Sequence, residues 1–185
     1  MKIKIIGILF LIACNLNAAS SRPINSNSEK TKNVHSEKIT KLLNAHEKTP
    51  EDTVINNRLG YLYYLIGKYK NSEYHYKKAI TSNPQNIESR LGLYLLSMAD
   101  KDYQTAELYC RQINDIDRFN YYGNLYFVNA LASQGKYNKA VIICNKMLNL
   151  YPCDLVFLRL LKNIYTYQKD TKKAEEVQAR LDLLK

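Results

Sequence analysis

A spacing of 34 residues recurs along this chain. Ser72, Ala106, Ala140 and Ala174 lie 34 apart, and so do Tyr69, Tyr103 and Tyr137, each three residues earlier. Pro50, Pro84 and Pro152 hold the same register and miss only the step at Arg118. A helix pair repeated at such a spacing buries its apolar face only by stacking on its neighbours, and the product is a solenoid. The register sets four units, 53–86, 87–120, 121–154 and 155–185, split near Gly67, Lys101–Asp102, Gly135 and Lys169–Asp170. Each predicted helix has roughly 13 residues, marginal alone in water, so its order must come from stacking. Gly67 and Gly135 suit the left-handed turn after a first helix. Pro84 and Pro152 stop a second helix.

Upstream of the units, Ile39, Leu42 and Leu43 make a helical apolar stripe behind Ser36, a candidate N-cap. They predict a capping helix over 36–49, in register a second helix without a first. Residues 19–35 are polar and aperiodic and read as a flexible spacer.

The first residues read as an export signal, assigned to 1–18. Lys2 and Lys4 give a basic start, and Ile5 to Ala13 is uncharged and apolar. That run is too short for a membrane-spanning helix, which needs roughly 20 residues. Two endings stay open. Leu11-Ile12-Ala13-Cys14 is similar to the lipobox of bacterial lipoproteins, which implies an acylated Cys14 and a membrane anchor. Ordinary cleavage after Ala18 is the other, with Leu16 and Ala18 where the peptidase reads. Both place the mature chain in the envelope, periplasmic or associated with the outer membrane.

The formal charge is +10, which favours acidic partners or anionic surfaces such as lipid, glycan or nucleic acid. Lys68, Lys70, Lys77 and Lys78 are its densest run. The same balance also solvates a surface, and frequent Lys, Asn, Ile and Tyr are what an AT-rich genome produces. The tyrosines fall on packing positions, so nucleic-acid stacking is not expected.

Four cysteines in an exported chain invite a disulfide. Cys110 and Cys144, however, occupy the same repeat position on adjacent units. Stacked helices lie roughly 8–10 Å apart, beyond the ~7 Å Cα limit of a disulfide. Both are predicted to be small core residues, and Cys153 a free loop thiol. His35, His46 and His75 show no metal-ligand spacing, and His75, beside Tyr74 and Tyr76, is expected to be exposed. Asp115 and Asp117 lack the rest of a calcium loop. There is no phosphate loop and no nucleophile elbow, so the expectation is a non-enzyme without cofactor or metal.

Unit one carries Leu59-Gly60, Tyr63, Gly67-x-Tyr69, Tyr76, Ala79 and Pro84, and unit three Gly135-x-Tyr137, Ala140 and Pro152. Unit two keeps Leu93, Tyr103 and Ala106, with Tyr94 at a position the pattern makes small, and unit four keeps Leu161, Tyr165, Ala174 and Leu181. In this pattern the chain resembles the tetratricopeptide repeat family over 36–185. The resemblance implies an all-α, right-handed solenoid of antiparallel helix pairs, with local irregularity at unit two and Arg118. It implies a concave groove lined by the first helices. The groove candidates are Asn57, Tyr61 and Tyr64 in unit one and Leu91 and Leu95 in unit two. Tyr122, Leu125 and Asn129 follow in unit three, and Arg159 and Asn163 in unit four. Tyr, Leu and Asn suit an extended peptide or partner helix, so the expected role is a scaffold for another envelope protein or peptide, assisting assembly of an envelope complex. The family's clamp for a terminal carboxylate does not form, since Asn57 and Tyr61 stand where Lys and Asn would, and Arg159 and Asn163 match it only in part. Leu181, Leu183 and Leu184 leave the last helix an apolar face, a candidate for self-association or end-on docking.

Overall fold

The computed structural model describes residues 29–184. The export signal, Cys14 and most of the expected spacer lie outside them. The described residues form nine helices and no strand. They are α1 (Glu29–Lys48), α2 (Thr53–Leu65), α3 (Tyr69–Ser82), α4 (Ile87–Ala99), α5 (Tyr103–Ile116), α6 (Tyr121–Ser133), α7 (Tyr137–Leu150), α8 (Leu155–Gln168) and α9 (Thr171–Asp182). Those up to Ile116 belong to one compact body and those from Asp117 to another. In the first, α1 packs on α2, α2 on α3 and α4, α3 on α4, and α4 on α5. In the second, α6 packs on α7 and α8, α7 on α8, and α8 on α9. No described helix is long and apolar enough to cross a membrane.

The capping helix begins at Glu29, seven residues before the expected start, so the end of the predicted spacer is helical. From Glu29 to Lys48 the sequence has no Gly or Pro, and its Glu and Lys residues are strong helix formers. Polarity there does not exclude a helix. Ser36 is not a cap; it lies inside α1, and its carbonyl accepts the Thr40 hydroxyl at 3.1 Å.

Every first helix starts the same way. Asp52, Asn86, Asn120 and Asp154, again 34 apart, accept hydrogen bonds from the amides of Ile55, Ser89, Gly123 and Phe157 at 2.8, 2.7, 2.9 and 2.9 Å. These caps answer donors that a helix N-terminus leaves unsatisfied. The turn before each cap is also repeated, the cap amide donating to the carbonyl of Thr49, Asn83, Asp117 or Tyr151 at 3.0–3.1 Å. Arg118 therefore does not break the local turn. Asn124 Nδ2 donates to its carbonyl at 3.1 Å, as Asn56 Nδ2 donates to that of Pro50 at 2.8 Å.

The turn inside each unit closes alike. The amides of Lys68, Asp102, Lys136 and Asp170 reach back to Tyr63, Ser97, Leu131 and Tyr165 at 2.8–3.0 Å, a Schellman bond that requires a left-handed residue. Gly67 (φ 76°) and Gly135 (φ 72°) supply it in units one and three, as expected. Lys101 and Lys169, both at φ 60°, supply it in units two and four. There Asp102 and Asp170 cap the following helix, accepting from Thr105 and Lys173 amides at 3.1 and 3.2 Å. Lys68 and Lys136 make no such side-chain bond. Two turn chemistries thus alternate along the chain.

Ser72, Ala106, Ala140 and Ala174 are all buried, which bears out the small-residue register. Ser72 Oγ donates to the Gly60 carbonyl at 2.7 Å, a direct measure of how closely α2 and α3 approach. The Tyr76 ring fills the space between α2 and α4. A Cβ on Gly60 would lie 2.6 Å from that ring, and one on Gly92 closer still. Unit two puts Tyr94 where unit one has Gly60, and unit three puts Val128 there; both are buried. In the same units Cys110 and Cys144 stand where Tyr76 does, with no exposed surface. Volume is exchanged between two register positions, which is how a core tolerates such substitutions. Tyr94 is thus compensated rather than disruptive.

Candidate partner-binding surface

The ten groove candidates do not share one environment. In the first compact body, Tyr61 is 44% exposed, and Leu91 and Leu95 are half-buried. Asn57 is engaged in joining α2 to α4: its Nδ2 donates to Glu88, and its Oδ1 accepts from Ser89 Oγ at 3.0 Å. Tyr64 is half-buried against Tyr76, Leu93 and Leu96, with the Tyr69 ring 5.8 Å away. Burial, then the neighbouring Tyr69 and Tyr61 hydroxyls, push its own hydroxyl above the usual tyrosine range. What remains open here is apolar: the Tyr61 ring and part of Leu91 and of Leu95.

In the second compact body Tyr122 is 51% exposed, its ring edge-on to Tyr121 at 5.5 Å. Leu125 and Asn129 are buried at 5% and 4%, so they are packing residues rather than open lining. Asn129 Oδ1 is buried without a hydrogen-bond partner. Arg159 and Asn163 line a cavity of about 310 Å³ with Lys162, Gln178, Leu181 and Leu184. That cavity lies between α8 and α9, so these two are brought together, but against a second helix.

His75, expected on the surface, is buried. Its ring stacks on Tyr63 at 5.5 Å and meets the edges of Tyr74 and His46 at 5.0 and 5.3 Å. Asn56, itself fully buried, donates through Nδ2 to the carbonyls of Pro50 and Asp52, each at 2.8 Å. Its Oδ1 is left to accept from His75 Nδ1 at 3.0 Å, which fixes the neutral tautomer. Burial, with the nearby His46 and Lys78, lowers the His75 pKa to about 4. This is a packing role, not a binding one. The signal is present in the sequence, because Asn56 and Asn124 lie 68 apart and tie down the same turn.

The basic run is partly neutralised. Lys77 pairs with Glu73 at 2.6 Å and Lys78 with Glu51 at 3.1 Å. Cys110, Cys144 and Cys153 are free thiols; the first two are buried and the third exposed, as the register requires. Burial pushes the Cys144 thiol up to about 12 and the Cys110 thiol above the usual range too. Asp117 Oδ1 caps its own loop, accepting the Phe119 amide at 3.0 Å. Among the described residues no group of three or more His, Cys, Asp or Glu could hold a metal ion.

Residues 54–86 match the tetratricopeptide repeat family, a span coincident with unit one. No curated protein sequence matches the chain. Solved structures do. MamA RS-1, an ArsTM double mutant, is 14% identical with a TM-score of 0.74, covering 100% of this chain and 96% of its own. Another MamA crystal structure is 14% identical at a TM-score of 0.73, over 88% and 94%. A tetratricopeptide repeat protein from Parabacteroides merdae ATCC 43184 is 14% identical at 0.67, over 97% and 73%. At such identities the likeness speaks for fold. The chain therefore carries a tetratricopeptide repeat at 54–86 and has the all-α, helix-pair solenoid fold of these proteins.

Proposed function

We propose that the chain is a non-enzymatic scaffold of the bacterial envelope that holds a peptide or helix of another envelope protein against its first helices. The observation that carries this reading is open apolar surface on the first helices: exposed Tyr61 with half-buried Leu91 and Leu95 in the first compact body and, separately, exposed Tyr122 in the second. Aromatic and aliphatic anchors of this kind supply most of the energy of peptide recognition. The tetratricopeptide match over unit one supports it. Export rests on the N-terminal sequence, and with it a choice between an acylated Cys14 and a soluble start after Ala18. The mass of the mature N-terminus decides that choice.

The test is a pull-down from envelope extract with the wild type and a Leu91→Ala, Leu95→Ala, Tyr122→Ala variant. Loss of an anchor residue weakens binding by about tenfold or more, so at least one partner should fall away. Identical partners in both samples would overturn the reading.

A further inference from the structure

The cleft between α1 and α2 gathers positive charge that no ion pair among the described residues neutralises. Lys38 and Lys41 of α1 and Arg58 of α2 line a half-open cavity of about 500 Å³, together with His35. No carboxylate of the described residues lines it. The ion pairs of this compact body engage Lys77, Lys78 and Arg111 instead. Lys38, Lys41 and Arg58 make no ion pair with any described residue. Like charges around one recess repel each other, and a bound anion adds attraction that offsets that repulsion. Beside the charges, Leu62, Leu65 and the 44%-exposed Tyr61 give the cleft an apolar wall.

We propose that this cleft binds an acidic segment of a partner protein, in which carboxylates alternate with apolar side chains. The carboxylates pair with Lys38, Lys41 and the planar Arg58 fork, a geometry suited to carboxylate. The apolar side chains pack on Leu62, Leu65 and Tyr61. The chain's own N-terminal segment is the wrong occupant: residues 1–28 carry Lys2, Lys4 and Arg22 and no Asp or Glu. A peptide fits better than a lipid surface. The charges surround a recess rather than crown a protrusion, and the exposed Tyr61 ring stands beside them as an apolar anchor. The proposal rests on the scaffold reading and gives the partner its charge.

The probe is a fluorescein-labelled hexapeptide, Glu-Leu-Glu-Phe-Glu-Leu, titrated with the full chain by fluorescence anisotropy beside its Gln-for-Glu counterpart. Saturable binding of the acidic peptide is expected, weakened about tenfold or more by either the Gln peptide or the K38Q/K41Q/R58Q variant, and weakened by added salt. The three substituted residues are exposed, so circular dichroism and melting should match the wild type. Wild-type affinity in the triple variant, equal binding of the Gln peptide, or no saturation at roughly millimolar peptide overturns the proposal. Sedimentation with phosphatidylglycerol vesicles is the lipid arm. Vesicle binding that the triple variant loses, without peptide binding, assigns the cleft to an anionic lipid and overturns the proposal. Envelope partners lost by the Leu91, Leu95, Tyr122 variant but kept by the charge variant would sink the cleft alone. The opposite pattern would sink the open apolar surface alone.

Discussion

His75 shows how one side chain is fixed by neighbours that are remote in sequence. Its acceptor Asn56 belongs to α2, and the His46 ring against it belongs to α1. In unit three Ile143 stands at the position of His75, and Asn124 Oδ1 is left buried without a partner. The His75 bond is therefore a local gain of unit one, not a demand of the repeat. It carries a pH dependence whose sign follows from protonation. Folded His75 stays neutral down to about pH 4, whereas unfolded His75 takes up a proton below about 6.5. Between those values the unfolded chain binds more protons, so stability rises with pH and is lost as pH falls from about 6.5 toward 4. The loss is at most about 1.4 kcal/mol per pH unit. Urea melts at pH 7 and pH 5 should show a steeper loss in the wild type than in His75→Gln, whose amide can still donate to Asn56. Equal losses would mean that His75 is not held neutral. Exposure of His75 is the natural reading of the sequence because helix spacing alone does not reveal that α1 covers this face.

Between helices, the controlling fact is the exchange of volume around Tyr76. Gly60 and Gly92 exist at their positions because the ring occupies the space a Cβ would need. Overpacking of this kind costs about 1–3 kcal/mol, so Gly60→Ala should destabilise by that amount. Units two and three already use a larger residue at this position with Cys at the ring position. Combining Gly60→Ala with Tyr76→Cys should therefore cost less than the sum of the two single changes, with a coupling of about 1 kcal/mol measured by denaturant melts. Strict additivity would mean that the ring does not limit the approach of α2 and α3. The small-residue register is plain in the sequence; its compensation is not, because Tyr94 read alone is only a misfit. The caps are equally readable, since Asp52, Asn86, Asn120 and Asp154 repeat at 34 residues. The early start of α1 is hidden because polarity says which face is solvated, not whether the backbone is helical.

Along the whole molecule, the 34-residue period contains a 68-residue one. Asn56 and Asn124, Gly67 and Gly135, Lys101 and Lys169, and Asp102 and Asp170 are each 68 apart. Fold class follows from the shorter period, because it alone sets which faces stack. The open surface does not. Leu125 and Asn129 share the register of the half-buried Leu91 and Leu95, yet both are buried, because burial depends on which neighbours the chain supplies. Unequal packing should also make stability unequal. In the second compact body one buried cluster joins Val128, Leu131, Met147, Phe157 and Leu158, each with at most 1% of its surface exposed. In the first, α1 contributes a single buried apolar residue, Ile39, to the cluster of Leu59, Leu62 and Tyr63. In repeat arrays each helix is stabilised by its nearest neighbours, and elements with few buried contacts open first. Native-state hydrogen exchange should therefore find the slowest amides in α6, α7 and α8, with α1 exchanging at least about tenfold faster, a difference of ~1.4 kcal/mol in opening free energy. Protection of α1 equal to that of α7 would mean that surface besides Ile39 holds it down. Because Lys38 and Lys41 lie on α1, an acidic occupant of the cleft should slow exchange in α1 and leave α6 to α8 unchanged, since binding stabilises only the states that bind.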